Sequence, residues 1–321
     1  MNILFTSVGR RVELIQTFRD AAQKTGTQLT IMGTDISFSA PAMYFCDRTF
    51  LVPKISDPTY ISTLLTLCET YNVSCVIPTI DTDLCQLAET KDKFALIGTI
   101  VLVSDIEKVL LCRDKRLTAT YFRNLGLKSP LPVDNISEYH SGYPAFIKPL
   151  NGSSSINAYK ADNYNELELL IEMVPDYIIQ PFISGREYTI DIFCDFNGNP
   201  IYITPRERLA VRSGEVLKTK ICQDDVMIAE MKQLVDDFKP CGQITVQLIH
   251  DDASNQNYYI EINPRFGGGA PLSMKAGANS AVALIQLMQG KKVEYVEYAA
   301  NDGAIYSRFD QSICIDKGIS K

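Results

Sequence analysis

The chain has 321 residues, of which 46% are hydrophobic and 21% are charged, and its net charge is -7 at pH 7. This length allows two or three domains, and the composition is that of an ordinary folded protein, which excludes a disordered or fibrous chain. The acidic balance argues against a nucleic-acid-binding surface.

Two further features restrict the class of protein. Met1–Phe5 is followed at once by polar residues, so no signal-peptide apolar region is present, and no apolar run approaches the length of a membrane span. The nine cysteines include no Cys-x-x-Cys pair, which argues against a zinc site or a disulfide framework. We therefore expect a cytoplasmic protein that binds neither nucleic acid nor membrane.

Strand and helix patterns alternate over the first hundred residues. Ile3–Phe5 is a short apolar strand, and Val12–Thr25 has apolar residues at helical spacing. More segments of both kinds follow: the strands Leu29–Gly33, Val73–Pro78 and Thr99–Val103 and the helix Tyr60–Tyr71. This alternation predicts an α/β domain with a doubly wound parallel sheet. A nicotinamide cofactor is disfavoured, because the turn Thr6–Arg11 lacks Gly-x-Gly-x-x-Gly.

A lysine and a small-residue loop form the next signal. A long helical pattern from Asp105 to Gly126 carries Lys115 in a charge run, which is usually a solvated helix face. A strand then delivers Lys148 to the loop Asn151–Ser155. Gly and Ser let backbone N–H groups and hydroxyls meet phosphate oxygens, and the lysine adds a positive charge. The alternative interpretation is a plain surface loop, since the Gly-Lys-Ser/Thr of a Walker-type loop is missing.

Two strands joined by a hinge are predicted within Tyr177–Asp191, and a further strand within Ile201–Arg208. Arg206 and Arg208 stand at the end of that further strand. Arginines in this position are either surface residues or ligands of a substrate carboxylate or acyl phosphate.

A β-hairpin is predicted near the C-terminal third. The apolar runs Ile244–Ile249 and Tyr258–Ile262 flank the stretch Asp251–Asn257, which contains the turn formers Asp, Ser and Asn. The remaining predicted elements look structural: the helices Asp224–Phe238 and Ala276–Gln289 and the late strand Ala304–Phe309.

One face of this hairpin carries side-chain oxygens. Side chains alternate along a strand, so Glu261 and Asn263 share one face while Ile260 and Ile262 point to the other. Antiparallel pairing brings Gln247 to the same face as Glu261. Carboxylate and amide oxygens suit Mg²⁺.

Arg265 lies two residues beyond Asn263, where its guanidinium could meet the anion that accompanies such a metal. The ordinary alternative is a solvated strand face, with Gly267–Gly269 as a flexible loop.

The arrangement of Gln247 with Glu261-Ile262-Asn263-Pro264-Arg265 resembles the metal-binding end of the ATP-grasp superfamily, and most the large-subunit halves of carbamoyl phosphate synthetase. The resemblance extends over nearly the whole chain. It implies an N-terminal doubly wound pre-ATP-grasp domain (1–110), an α+β lid domain with its entry helix (111–185) and a C-terminal ATP-grasp domain with the metal site (186–321).

The resemblance also implies ATP and Mg²⁺, with Mn²⁺ as an alternative metal, and it assigns roles to individual residues. Gln180 departs from the glutamate often found at the hinge, but its amide oxygen can still accept a hydrogen bond from adenine. The roles are Gln247, Glu261 and Asn263 for the metal; Lys115, Lys148, Ser153, Ser154 and Ser155 for the phosphates; Gln180, Pro181, Phe182 and Ile183 for adenine; Glu187 for ribose; and Arg265, Arg206 and Lys148 for catalysis.

A substrate crevice is expected where the parallel strands of the N-terminal sheet end. An arginine opposite several aspartates suits a small zwitterion such as an amino acid. Helix capping and turn formation are the alternative roles for these side chains. The candidate substrate residues are Ser7, Gly9, Arg10, Asp35, Asp81, Asp83 and, from the nucleotide side, Arg208.

The resemblance implies an ADP-forming ligase. A substrate carboxylate would become an acyl phosphate and would then be attacked by an amine or similar nucleophile. The expected partners are therefore small carboxylates and amines, and a homodimer is compatible with the sequence. Two alternatives stay open: a single-site carbamoyl phosphate synthetase-like subunit acting on bicarbonate or carbamate, and an ATP-binding partner without turnover.

Overall fold

A parallel sheet forms the N-terminal part of the computed structural model, which describes residues 1–151 and 156–315. The strands run in the order β3-β2-β1-β4-β5, and every pair is parallel. The doubly wound sheet predicted from the sequence is confirmed. Its elements are β1 (Asn2–Thr6), α1 (Val12–Thr25), β2 (Thr30–Asp35), β3 (Arg48–Leu51), α2 (Tyr60–Thr70), β4 (Cys75–Pro78), α3 (Leu84–Leu96) and β5 (Ile100–Val101).

Side chains alternate along β1, and both faces of this sheet are covered by buried apolar clusters. Ile3 and Phe5 lie in one buried cluster with Phe18 of α1, whereas Leu4 lies in another with residues of α2 and α3. The strand order reverses between β1 and β4. Open parallel sheets bind ligands at such a reversal, beyond the carboxyl ends of the strands.

Two helices, α4 (Ile106–Arg113) and α5 (Lys115–Asn124), replace the single long helix predicted from Asp105 to Gly126. Asp114 has an extended backbone between them, and its side chain accepts hydrogen bonds from the backbone N–H groups of Arg116 and Leu117. Because this is N-cap geometry, a new helix begins there and Lys115 becomes its first residue.

A small antiparallel sheet follows, in the order β7-β6-β8. The helix α6 packs on it through buried apolar residues such as Leu167. The elements are β6 (Ala145–Pro149), β7 (Tyr159–Ala161), α6 (Tyr164–Met173) and β8 (Tyr177–Pro181).

A larger antiparallel sheet completes the described fold, in the order β13-β12-β9-β10-β11-β14. One of its faces packs on α5 and α7 through residues such as Ile190, Val246 and Ile262. The elements are β9 (Arg186–Cys194), β10 (Pro200–Arg212), β11 (Glu215–Ile221), α7 (Asp225–Phe238), β12 (Gln243–Asp251), β13 (Gln256–Asn263), α8 (Ala270–Ala276), α9 (Ser280–Met288) and β14 (Ile305–Ser307).

The helix predicted over Ala276–Gln289 is present as α9, but it begins four residues later, at Ser280. A Cβ at Gly277, whose φ is 133°, would collide with the carbonyl oxygen of Ala299, so the chain passes too close for a side chain. Asn279 then caps α9 by accepting from the Val282 N–H. The short helix α8, which ends at Ala276 before this glycine, was not predicted.

The N-terminal sheet and the end of β13 share one hydrophobic core. The Phe18 ring lies 5.0 Å from the Phe5 ring and 5.8 Å from the Phe266 ring, both edge to face. Phe266 directly follows Arg265. This core therefore fixes the loop after the predicted metal strand against the edge of the N-terminal sheet.

The domain limits at 110 and 185 stay predictions, although the small sheet does lie between them. Within the described residues, no helix has the length and apolarity needed to cross a membrane.

Candidate active site

One pocket of about 220 Å³ lies between the small sheet and the larger one. Strands β6, β9, β10, β12 and β13 all contribute side chains to it. Its polar and charged lining residues are Lys115, Lys148, Asn151, Glu187, Tyr188, Arg208, Gln247 and Glu261. Residues from five segments predicted in the sequence therefore meet in one place.

The predicted hairpin is present, with Gln247 directly opposite Glu261 and Thr245 opposite Asn263. Asn263 Nδ2 donates a hydrogen bond of 2.9 Å to Glu261 Oε1. The hairpin register therefore brings Gln247 beside Glu261, and the hydrogen bond brings Asn263 beside it. Their role as metal ligands stays a prediction.

The expectation that Ile260 shares a face with Ile262 is wrong. The pairing shifts after Gln247, so that Leu248 faces Tyr259 and Ile260 is the extra residue of a β-bulge. Ile260 lines the pocket beside Glu261, whereas Tyr259 and Ile262 lie in the core. The bulge thus places two consecutive residues in the pocket.

The two predicted phosphate-binding lysines meet Glu261. Lys148 is 7% exposed, and burial lowers its pKa to about 8 although the charge of Glu261 opposes the shift. Burial also lowers the pKa of Lys115, again opposed by Glu261, and Lys115 Nζ donates to the Leu150 carbonyl at 2.9 Å. Two ammonium groups near one carboxylate leave an excess of positive charge beside the pocket.

The hinge predicted to hold adenine lies one strand from the pocket. Gln180 is buried on β8 and pairs with Phe146 of β6, which itself lines the pocket. Phe182 stacks near Phe146, with ring centres 6.2 Å apart. The adenine role of the hinge segment, which includes Pro181 and Ile183, stays a prediction.

Arg208 and Glu187 face each other across the pocket wall. Arg208 Nε lies 3.2 Å from Glu187 Oε2, and its Nη2 donates to the Gly214 carbonyl at 3.0 Å. Among the described residues, Arg265 Nε is buried and has no hydrogen-bond partner, whereas Arg208 Nε makes no hydrogen bond but is held by the ion pair with Glu187. Buried unpaired donors of this kind are costly, which favours an anionic ligand.

Arg206 lies outside the pocket. Its Nε donates to Asp191 Oδ2 at 2.8 Å, and both side chains are buried. Asp191 also accepts from Ser273 Oγ at 2.6 Å and Thr245 Oγ1 at 3.3 Å. This network joins β9, β10, β12 and α8. The ion pair satisfies Arg206 Nε, whereas its Nη1 is buried without a hydrogen-bond partner among the described residues, and the catalytic role of Arg206 stays a prediction.

The end of β13 meets the edge of the N-terminal sheet at an ion pair. Arg265 Nη2 donates to Asp81 Oδ2 at 2.5 Å, although 184 residues separate the two in sequence. The metal-binding motif and the predicted substrate crevice are therefore adjacent.

The structure places Arg11 at this crevice and directs the predicted Arg10 to solvent. The Arg10 side chain is 83% exposed and lies near Asp310. Its neighbour Arg11 is 19% exposed, donates to the Thr79 carbonyl at 3.3 Å and lies 3.5 Å from Glu215. Burial and then the nearby Arg265 charge lower the pKa of Arg11. The turn before α1, with Gly9 at a φ of 44°, directs these two neighbours apart.

The other candidate substrate residues build the crevice walls. Asp35 accepts from the Gly9 N–H at 2.9 Å, and the Ser7 carbonyl accepts from Thr79 Oγ1 at 2.7 Å. Asp83 is fully buried and accepts from Thr6 Oγ1 at 2.7 Å and the Tyr60 hydroxyl at 3.2 Å. These contacts match the turn-forming alternative, and any contact with a substrate stays a prediction.

We expect Asp83→Asn to stabilise the protein at pH 7 and to lose that advantage near pH 4. Burial raises the pKa of Asp83 to about 6, against about 3.9 in an unfolded chain. The folded protein binds the Asp83 proton more tightly than the unfolded chain does, which stabilises the fold below about pH 4. This stabilisation is lost as the pH rises through 6. Asparagine stays neutral and can accept the same hydrogen bonds, so we expect a gain of roughly 1–3 kcal/mol at pH 7.

Thermal unfolding of both proteins at pH 4, 6 and 7 measures this effect. Asp236→Asn, at an exposed residue 3.6 Å from Lys239, is the control. A stability difference for Asp83→Asn that stays constant over this pH range would contradict the prediction.

Ser153, Ser154 and Ser155 lie outside the described residues. Within the described part of the chain, no three His, Cys, Asp or Glu side chains form a metal-binding group. The predicted metal site has a single carboxylate, so it is not a cluster of that kind.

Comparison with known families agrees with this geometry. Residues 3–102 match the family model described as PylC-like, N-terminal domain, and residues 112–269 match the model of the ATP-grasp domain. The chain contains an ATP-grasp domain preceded by a PylC-like N-terminal domain. ATP use is typical of this family, and the resemblance inferred from the Gln247 and Glu261–Arg265 motifs is confirmed at the superfamily level.

The relatives give the same picture. D-alanine–D-alanine ligases of Pelagibacter ubique and of Francisella tularensis subsp. holarctica are each 27% identical, over 113 and 176 residues. These alignments cover 35% and 50% of this ATP-grasp chain, and only 37% and 59% of the two ligases. The biotin carboxylase-beta-gamma-ATP complex from Campylobacter jejuni has the same fold, with a TM-score of 0.74 at 15% identity over 95% of this chain and 74% of that one.

Three charged residues near the crevice were missed by the sequence reasoning. Arg11, Glu215 and Arg308 come from three distant segments and carry no recognisable motif. Only the turn before α1 offered a signal, because adjacent arginines there must point in different directions.

Proposed function

We propose that this protein is an ADP-forming carboxylate–amine ligase that uses ATP and Mg²⁺, with Mn²⁺ as an alternative metal. The observation that carries the proposal is the convergence of Lys115, Lys148, Gln247 and Glu261 on one pocket, with Arg265 at its end. The family favours ATP as the phosphoryl donor. An ATP-dependent reaction fits the cytoplasmic location expected from the sequence.

The donor set suits magnesium. Glu261 supplies a carboxylate, and Gln247 stands directly opposite it with an amide oxygen. Asn263 uses its amide nitrogen on Glu261, which leaves its oxygen for another partner. Magnesium held by these oxygens would offset the negative charge of the phosphates.

The other pocket side chains would bind the nucleotide or orient the substrate. Lys148 and Lys115 would bind phosphate oxygens, since both line the pocket and both carry ammonium groups at its Glu261 end. Glu187 would accept the ribose hydroxyls. Arg265 would orient the substrate carboxylate towards the terminal phosphoryl group, because it lies between the hairpin and the crevice. Catalysis would then rest on positioning and electrostatics, without a protein nucleophile.

The carboxylate substrate would lie in the crevice next to Asp81. The acyl phosphate formed there would lose phosphate when an amine attacks its carbonyl carbon. The two related ligases act on D-alanine by name, which supports a small carboxylate and an amine as partners. A homodimer stays compatible with this reaction.

A panel of amino acids and small carboxylates, tested singly and in pairs with ATP and Mg²⁺, tests the function. We expect ADP and phosphate to form in equal amounts when a carboxylate and an amine are both present. ADP formation with bicarbonate alone would favour the carbamoyl phosphate synthetase-like alternative. Tight ATP binding without ADP from any mixture would favour an ATP-binding partner without turnover.

A further inference from the structure

Three arginines from distant segments converge next to the pocket. Arg11 precedes α1, Arg265 follows β13, and Arg308 follows β14. Arg11 and Arg308 both approach one carboxylate, Glu215, at 3.5 Å and 3.2 Å. Glu215 is the first residue of β11. We call Arg11, Arg265 and Arg308 the arginine cluster.

Two separate segments of the chain connect the arginine cluster to the nucleotide pocket. Gly214 lines the pocket, and the next residue, Glu215, reaches the cluster. Likewise Asn263 contacts the pocket residue Glu261, and Arg265, two residues later, belongs to the cluster. An anion held by the cluster would therefore lie beside the end of the pocket that contains Glu261 and the two lysines.

Positive charge exceeds negative charge in the cluster. Three guanidinium groups face two carboxylates, Glu215 and Asp81, and Asp81 is already paired with Arg265 at 2.5 Å. Glu13 lies 3.5 Å from Arg308 but is paired with Lys275 at 2.6 Å. All three arginines are mostly buried, so their charge is poorly compensated by water.

The glycine loop after Arg265 packs against the arginine cluster. A Cβ on Gly268 would collide with Glu215 Oε2 and Arg11 Nη1. This close approach brings the loop backbone against the same two side chains. The loop therefore packs directly against the ion pair between Arg11 and Glu215.

Glu215 is placed to move out of this site. Its side chain is 48% exposed, and it follows a turn in which Ser213 and Gly214 have φ values of 50° and 76°. Both of its arginine contacts exceed 3 Å and are therefore long for charge-assisted bonds. Burial alone would raise the pKa of Glu215, but the charges of Arg11 and Arg308 outweigh it. The net result is a lowered pKa, so Glu215 stays anionic.

We propose that the arginine cluster binds the carboxylate of the substrate, and that Glu215 occupies this position until the substrate displaces it. The proposal deepens the proposed ligase function and rests on it for the reaction. With Glu215 displaced, the three guanidinium groups keep two carboxylates nearby, Asp81 and a Glu13 that is shared with Lys275, so a net positive charge remains. Such a site favours a net anionic carboxylate, such as a dicarboxylate, over a zwitterionic amino acid.

Succinate and D-alanine are the probes, each added to the full chain at constant ionic strength with and without a non-hydrolysable ATP analogue and Mg²⁺. Thermal shift and calorimetry give the half-saturating concentrations. We expect succinate to bind more tightly than D-alanine. Glu215→Gln removes the charge that competes with the substrate, so it should lower the half-saturating concentration of succinate about tenfold. Arg308→Ala should raise that concentration about tenfold. A tenfold change corresponds to the loss or gain of one charged contact.

Arg212→Ala is the matched control, because Arg212 is an exposed arginine that pairs with Asp310 at 2.9 Å outside the cluster. An unchanged succinate affinity in Glu215→Gln, or equal effects of Arg308→Ala and Arg212→Ala, would overturn the proposal. So would the absence of succinate binding by every protein. Succinate binding that follows the expected order without ADP formation from any mixture would support the cluster and reject the ligase function.

Discussion

Glu261→Gln should lower the rate of ADP formation by about 100-fold, which is the upper end of the loss seen when residues that only support metal ligands are changed. The substitution keeps the shape and one oxygen but removes the charge of the single carboxylate that faces Gln247. Mg²⁺ then has only neutral ligands from the protein. The same change removes the anion that favours the charged forms of Lys115 and Lys148. Initial rates of ADP release with Mg²⁺ as the sole divalent cation measure the effect.

Glu297→Gln is the matched control, since Glu297 is half-exposed and pairs with Lys232 at 2.7 Å away from the pocket. The control should keep its rate, and both variants should unfold near the wild-type temperature, because Glu261 is not part of the hydrophobic core. A folded Glu261→Gln protein that retains more than a third of the wild-type rate would falsify the metal assignment.

Local patterns in the sequence were sufficient for many elements. The apolar spacing of Val12–Thr25 predicted α1 to the residue, and Gly26, with a φ of 62°, ends that helix. The hairpin that carries Glu261 was predicted because its two apolar runs flank a polar turn. Both depend on contacts that are near in sequence, which is why the sequence alone revealed them.

The points at which helices begin were harder to predict. Asp114 begins a second helix inside one helical pattern, and α9 begins at Ser280 instead of Ala276, because a cap or a passing backbone decides each start. The bulge at Ile260 is similar, since it depends on how β12 and β13 pair. Alternation of side chains cannot show an extra residue in one strand.

The features of the site that the sequence did not predict are mostly contacts between residues far apart in the chain. The bond between Arg265 and Asp81 joins residues 184 positions apart. The burial of Arg11 and the exposure of Arg10 depend on how the turn before α1 meets Glu215. Such contacts arise only after the sheets have packed together, so their residues look like ordinary surface charges in the sequence.

Lys148→Met should weaken ATP binding about 10- to 100-fold, the range for one or two charged contacts with phosphate. The wild-type affinity should also depend on pH, because burial lowers the pKa of Lys148 to about 8. The charged form binds phosphate, so affinity is highest below pH 8 and falls as the pH rises from 7 to 9. The methionine side chain fills a similar volume and cannot titrate.

Calorimetric titration with the ATP analogue at pH 7, 8 and 9, in both proteins, separates these effects. Lys115 is present in both, and its pKa is also lowered by burial, so the ratio of the two affinities isolates Lys148. That ratio should shrink as the pH rises, since the wild-type lysine loses its proton and comes to resemble methionine. Lys292→Met, at an exposed lysine that pairs with Glu294, is the control and should keep the wild-type affinity. A ratio near one at pH 7 would mean that Lys148 has a structural role instead.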